Sequence, residues 1–196
     1  MSAGPSPRAD AARARLMDAA EAAFAQHGYH ATTTRHIAAA AGMSPAALYV
    51  HHASKEELLF LISRAGHEEV LSLLDVALRV SPDPVAQLRA VVRCFTLFHV
   101  AAHDSARIVN YELAALTSEH LGEVMELRAN IGRVFEELVI RGNASGVFSC
   151  PDPRLTAVAL QSLGIDTARW YRTGGWPPEQ IADLYGELAL RMVGAV

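Results

Sequence analysis

Apolar residues recur every three to four positions along almost the whole chain, the spacing of helices buried on one face. Residues 10–27 place Leu16, Ala19, Ala20, Ala23 and Phe24 on one side, and Gly28 offers a stop. Two short segments follow. The first runs from a Thr33-Thr34 cap to Ala41 and is closed by Gly42. The second starts at Ser44, with Pro45 at the first helical position, where a missing N–H costs nothing. Ser54 and Glu57 have capping-box spacing and open a helix to about Arg79, striped by Leu58, Ile62, Leu73 and Ala77. SPDP at 81–84 breaks it. A helix from Asp83 to about His103 then carries Val85, Leu88, Val92, Phe95 and His99. Asp104 and Ser105 punctuate, and another runs to about Leu116. Thr117-Ser118 introduce a long helix to about Arg141, striped by Leu121, Val124, Arg128, Ile131, Phe135 and Leu138. GNASG and the CPDP at 150–153 make the clearest break, before two last helices, 153–172 and 177–194. No period-two pattern or internal repeat occurs. The pattern predicts an all-α protein of about nine helices: a flexible tail over 1–9, a three-helix head over 10–53 and a helical body over 54–196.

Composition narrows the class. Hydrophobic residues make up 51% of the chain, enough for a substantial core. The net charge is −4, yet residues 1–60 are balanced and hold five of the nine histidines, while residues 61–196 set twelve arginines against sixteen acids. That direction suits a nucleic-acid-binding front on an acidic body. Cys94 and Cys150 show no CxxC spacing and are expected to be reduced. There is neither an uncharged run of 18 apolar residues nor the apolar stretch of a signal peptide, so the expectation is a cytoplasmic protein with no membrane partner. Without a nucleophile motif or a phosphate-cradling glycine loop, nothing points to an enzyme or a cofactor.

Two short helices joined by a tight glycine turn, after a longer helix, have the pattern of a helix-turn-helix. The small run Ala38 to Gly42 allows close packing, and Ile37 and Leu48 are placed to plug the core between the helices. The second short helix is barely two turns long, stable only when packed, and fits a DNA major groove. There Pro45, Ala46 and Ala47 would let the backbone approach, and the alanine methyls would touch thymine methyls. Ser44 and the helix N-terminus would meet phosphate. Tyr49, His51 and Lys55 would reach phosphates or groove walls, with Thr34 and Arg35 at the start of the preceding helix. With so few polar readers, DNA shape would carry part of the specificity. The other interpretation of these residues is a plain three-helix subdomain with His51-His52 as a solvated corner.

The stretch TTTRHIAAAAGMSPAALYVHHASKEELL, Thr32 to Leu59, closely resembles the DNA-binding signature of the TetR (tetracycline repressor) family. The resemblance covers Thr-Thr-x-x-Ile-Ala, the Ala-Gly-Met-Ser turn, Leu-Tyr-x-His and Ser-Lys-Glu-Glu-Leu. It departs at His52, where the family commonly carries Phe, which implies looser packing behind the recognition helix. It departs again at Ala46 and Ala47, where many members use larger or polar groups. The resemblance implies a homodimer through 153–172 and 177–194, with two recognition helices about 34–36 Å apart on near-palindromic operator DNA. It also implies a small-molecule effector that shifts the spacing of the two heads, and a repressor as the commoner habit.

The body supplies an apolar lining for such an effector in Phe95, Phe98, Leu127 and Ile131, with His99, His103, Asn110, Tyr111 and Arg128 as polar points. Arg128 lies on an apolar stripe, so it either pairs with an acid such as Glu112 or meets an anionic ligand group. His99 and His103, at i and i+4, also allow an alternative: a metal-binding helical sensor, against two ordinary core histidines. The C-terminal half is similar to TetR-type regulators of fatty-acid and sterol breakdown. That implies an acyl-coenzyme A or lipid-like acid as effector, with Tyr111-Glu112-Leu113 and Arg169-Trp170-Tyr171-Arg172 near the pocket and dimer seam.

Overall fold

Capping chemistry written in the sequence starts most of the helices. The computed structural model describes residues 7–195. They form α1 (Pro7–His27), α2 (Thr34–Ala40), α3 (Pro45–His51), α4 (Lys55–Leu78), α5 (Pro84–Ala101) and α6 (His103–Tyr111). A 3-10 turn (Leu113–Ala115) and α7 (Ser118–Ala144), α8 (Pro153–Trp170) and α9 (Pro178–Met192) complete the chain. No strand occurs among the described residues. Of the expected tail, residues 1–6 lie outside the described residues, and 7–9 already belong to α1.

Three helices begin in the same way. Ser44, Asp83 and Asp152 each accept a hydrogen bond from a first-turn N–H, and each is followed by proline. The side chain satisfies an orphan donor, and proline removes another. Ser54 caps α4 through the Glu57 N–H, while the Glu57 carboxylate reaches back to the Ala53 N–H, one residue further than a capping box requires. Gly28 and Gly42 take φ of 80° and 69°, the left-handed conformation in which a side chain would be strained.

The chain forms two units. The first comprises Met1–Ala65 and Arg107–Val124, the second Gly66–Ala106 and Met125–Val196. In the first, Leu16, Phe24, Ile37, Leu48 and Leu58 are fully buried and hold α1 to α4 together, and Ile108, Val109, Leu116 and Val124 join the same core. Glu56 of α4 accepts from the Thr117 N–H and from His120 Nδ1, each at 2.9 Å, and the His120 ring stacks on Phe60 at 3.8 Å.

In the second unit α5 is central, packed by α8 and α9. Phe95 meets Phe135 edge-on at 5.1 Å and lies over Gly164, where an added Cβ would stand 2.5 Å from its ring. Arg89–Glu187 and Arg93–Asp183 pair α5 with α9 at 2.8 and 2.6 Å, but both are exposed and contribute little. Burial of Phe95 against Gly164 dominates, so Gly164→Ala is expected to cost about 1–3 kcal/mol by overpacking. A urea midpoint unchanged from the parent would refute this.

Two boundaries differ from the sequence pattern. The helix expected to reach about Leu116 stops at Tyr111, before the 3-10 turn. The helix expected to run from Asp83 to His103 ends at Ala101, and the chain bends by 96° into α6. Asp104 and Ser105, taken as punctuation, lie inside α6 instead. The apolar periodicity continues through the bend, so it does not mark it. No single helix among the described residues is long and apolar enough to cross a membrane.

Candidate nucleic-acid interface

α3 is held by one buried residue and exposes the rest of its circumference. Leu48 is fully buried, and Ala47 and His51 flank it half-buried. Pro45, Ala46, Tyr49 and Val50 are exposed. At 100° per residue, Ala46 and Val50 stand opposite Leu48, with Tyr49 beside Ala46. Val50 was not among the residues expected to touch DNA, yet at 78% it is the most exposed large hydrophobic residue described. Its spacing from Leu48 was the signal that could have found it.

The polar groups of the head are arranged as follows. Thr34 Oγ1 and Tyr49 Oη share a hydrogen bond of 3.1 Å, which fixes the phenol to the start of α2. Arg35 is exposed one residue on. Ser44 Oγ accepts from the Ala47 N–H at 3.1 Å, so its oxygen already serves as the cap of α3. Lys55, the chain's one lysine, points the other way. Its ammonium donates to the carbonyls of Tyr29 and Thr32 at 2.8 and 2.9 Å and lies 4.2 Å over the Tyr29 ring. Burial lowers its pKa, while nearby Glu112 raises it. Lys55 therefore braces α4 against the α1–α2 turn. Lys55→Ala is expected to cost the fold about 1–3 kcal/mol, since two carbonyls lose a charged donor. Equal denaturation midpoints for variant and parent would exclude the brace.

His52 is buried behind α3, and neither of its ring nitrogens completes a hydrogen bond. Burial lowers its pKa, outweighing Glu57 and the Arg13 backbone, which raise it. The departure from Phe thus places unsatisfied polar atoms in the seat of α3. His52→Phe is expected to stabilise the protein by about 1–2 kcal/mol at neutral pH, because unpartnered buried polar atoms are removed. Thermal denaturation decides it; a lower melting temperature would show that the imidazole is needed.

The body residues do not all share one unit. Phe95, Phe98, His99, His103, Leu127, Arg128, Ile131 and Trp170 belong to the second unit, whereas Asn110 and Tyr111 belong to the first. Phe95 and Ile131 are buried core, Leu127 and Arg128 are half-buried, and Tyr111 and Trp170 are exposed. Tyr171 is the buried aromatic of its segment, 5.0 Å from the His103 ring. His99 is buried between Phe95 and Phe98, its Nδ1 donating to the Phe95 carbonyl at 2.8 Å. Burial pushes its pKa down to about 4; the Phe95 carbonyl opposes this, and His67 and Arg128 add to it. Burial also lowers the Arg128 pKa. Sequence reasoning did not include His67 among the ligand residues, because only folding brings α4 to α5.

The 96° bend at Ala102 corrects the metal alternative. His99 lies on α5 and His103 opens α6, donating from Nδ1 to the Val100 carbonyl at 3.1 Å, so the two do not share a helix face. Among the described residues no group of three or more His, Cys, Asp or Glu is placed to hold a metal ion.

Comparison with known proteins agrees with this geometry. The model of bacterial regulatory proteins of the tetR family matches residues 16–62, and that of the tetracyclin repressor-like C-terminal domain matches residues 81–193. The solved structure of a bacterial regulatory protein in the tetR family from Rhodococcus RHA1 is 40% identical, with a TM-score of 0.90. The match covers 94% of this chain and 98% of that one. The transcriptional activator FasR of Mycolicibacterium smegmatis is 29% identical over 90% of this chain and 80% of its own. The transcriptional repressor KstR2 of Rhodococcus jostii is 30% identical over 83% of this chain and 81% of its own.

Proposed function

Because the chain belongs to the TetR family and is a helix-turn-helix transcriptional regulator rather than an enzyme, we propose that it is an effector-controlled repressor acting as a homodimer. The observation that carries this is α3: a short helix anchored by Leu48, its opposite face open and its Tyr49 locked to Thr34. In this reading Thr34, Arg35, Ser44, Pro45, Ala46, Ala47, Tyr49 and His51 face operator DNA. Lys55 supports them from behind.

Dimerisation through 153–172 and 177–194 is supported by apolar side chains left open on both helices. Leu155 and Val158 of α8 are 66% and 57% exposed, and Leu184 of α9 is 54% exposed. A face of that kind is normally covered by a partner. Two copies would present their recognition helices about one DNA turn apart, about 34–36 Å.

The effector in this reading is a largely apolar molecule carrying an acid group, such as an acyl-coenzyme A or a lipid-like acid. Phe95, Phe98 and Ile131 supply apolar surface in the second unit, and the charged or titratable groups acting on His99 there are basic, His67 and Arg128. An anionic group would offset that balance. The protein is purified and titrated onto its own upstream intergenic DNA at several salt concentrations, then challenged with acyl-coenzyme A thioesters of different lengths. Saturable, salt-steep binding released by one of them is the expected result. Binding that no acyl thioester or free fatty acid disturbs would remove the effector class while leaving the regulator in place.

A further inference from the structure

α3 carries almost nothing that can hydrogen-bond a base edge. Between Pro45 and His51 there is no Arg, Lys, Asn, Gln, Asp or Glu, the side chains that make directional contacts with guanine, adenine or cytosine. Its hydroxyls are tied to local partners: Ser44 Oγ accepts from the Ala47 N–H as the cap, and Tyr49 Oη shares a hydrogen bond with Thr34 Oγ1. His51 is half-buried. What the helix presents opposite its anchor is the methyl of Ala46 and the isopropyl group of Val50, one turn apart. Ala39 and Ala40 of α2 are also exposed.

We propose that α3 reads its operator by apolar contact, with Ala46 and Val50 packed on thymine C5-methyl groups in the major groove. The inference rests on the DNA-binding role proposed above and specifies which chemical feature of the base is read. Thymine is the one standard base that carries a methyl group in that groove. A side chain as open as Val50 has unpartnered apolar surface that such a methyl would cover. Tyr49, pinned at its hydroxyl, forms one wall of the contact and fixes the depth at which the helix enters. Small side chains at 45, 46 and 47 permit that close entry. Specificity then comes from shape and methyl position, with orientation left to Arg35 and the backbone.

The experiment begins by selecting bound sequences from a randomised duplex pool with the full-length protein. Each thymine of the recovered site is then replaced singly by deoxyuridine, which removes the methyl and keeps every hydrogen-bonding group. At one or more major-groove positions the parent protein should bind about fourfold more weakly for each methyl removed. In Val50→Ala, an exposed substitution that leaves the fold intact, the penalty at the step facing Val50 should shrink to about 1.5-fold or less, because the side chain that buried the methyl is gone. The salt slope of that variant should stay at the parent value, since no phosphate contact is lost. A selected site indifferent to uracil at every position would overturn methyl reading and leave the regulator standing. A uracil penalty unchanged in Val50→Ala would overturn the assignment to Val50. Failure to enrich any sequence would overturn DNA recognition, and this inference with it.

Discussion

Replacing Leu48 with alanine is expected to destabilise the head by about 2–5 kcal/mol and to abolish sequence-specific DNA binding. Leu48 is the one fully buried side chain of α3, set in the core formed by Leu16, Phe24, Ile37 and Leu58. A helix of seven residues has too few internal hydrogen bonds to persist without that anchor. The substitution leaves every exposed group of α3 in place, so lost binding would trace to position and not to chemistry. Urea denaturation measures the first effect, and titration with the selected operator measures the second. Because the second unit has its own core around Phe95, Phe135 and Leu138, most of the helical signal should survive. A variant of parental stability that still binds the operator would show that α3 is held by something other than Leu48.

Acidification should weaken the fold through His99. Its folded pKa is about 4 against an ordinary 6.5, so the unfolded chain takes up a proton where the folded protein resists it. The stability that neutral His99 contributes is therefore complete above pH 6.5 and is lost progressively as pH falls toward 4. The full difference is about 3 kcal/mol, most of it reached by pH 4.5. Burial drives this, and His67 and Arg128 add to it. His52, also held below its ordinary pKa by burial, acts in the same direction in the other unit. Urea midpoints at pH 7 and pH 4.5 should separate the parent from His99→Gln, the variant losing markedly less on acidification. Parallel losses would mean that His99 is protonated without cost. Under the proposed function, an anionic effector would oppose this loss, since its charge favours the imidazolium.

The helices were legible because their signals are local. Ser44-Pro45, Asp83-Pro84 and Asp152-Pro153 each name a helix start within two residues, and the structure begins helices there. Gly28 and Gly42 mark stops for an equally local reason, since both adopt a conformation open to glycine. The break at Ala102 was marked only approximately, by Asp104 and Ser105 two residues further on. Ala101 and Ala102 are good helix formers, and the apolar repeat runs through them, so the i, i+4 spacing of His99 and His103 suggested one helix. His103 instead packs its ring against Tyr171, 68 residues further on, and that contact is invisible to any local pattern.

The head shows the same division. That α2 and α3 form a helix-turn-helix, and that Leu48 faces inward, follow from spacing and from the small residues of the turn. The direction of Lys55 does not. A lysine beside a recognition helix suits a phosphate as well as it suits two carbonyls, and only the position of Tyr29 and Thr32 decides between them. Val50 and His67 were missed because exposure and neighbourhood belong to the assembled chain. By itself, then, the sequence determined the helices, their caps and the family of the fold, because backbone hydrogen bonding and side-chain periodicity act over a few residues. The tertiary structure alone decided that Lys55 is a brace, which valine is open and which histidine is kept neutral, because burial and charge depend on residues that only folding brings together.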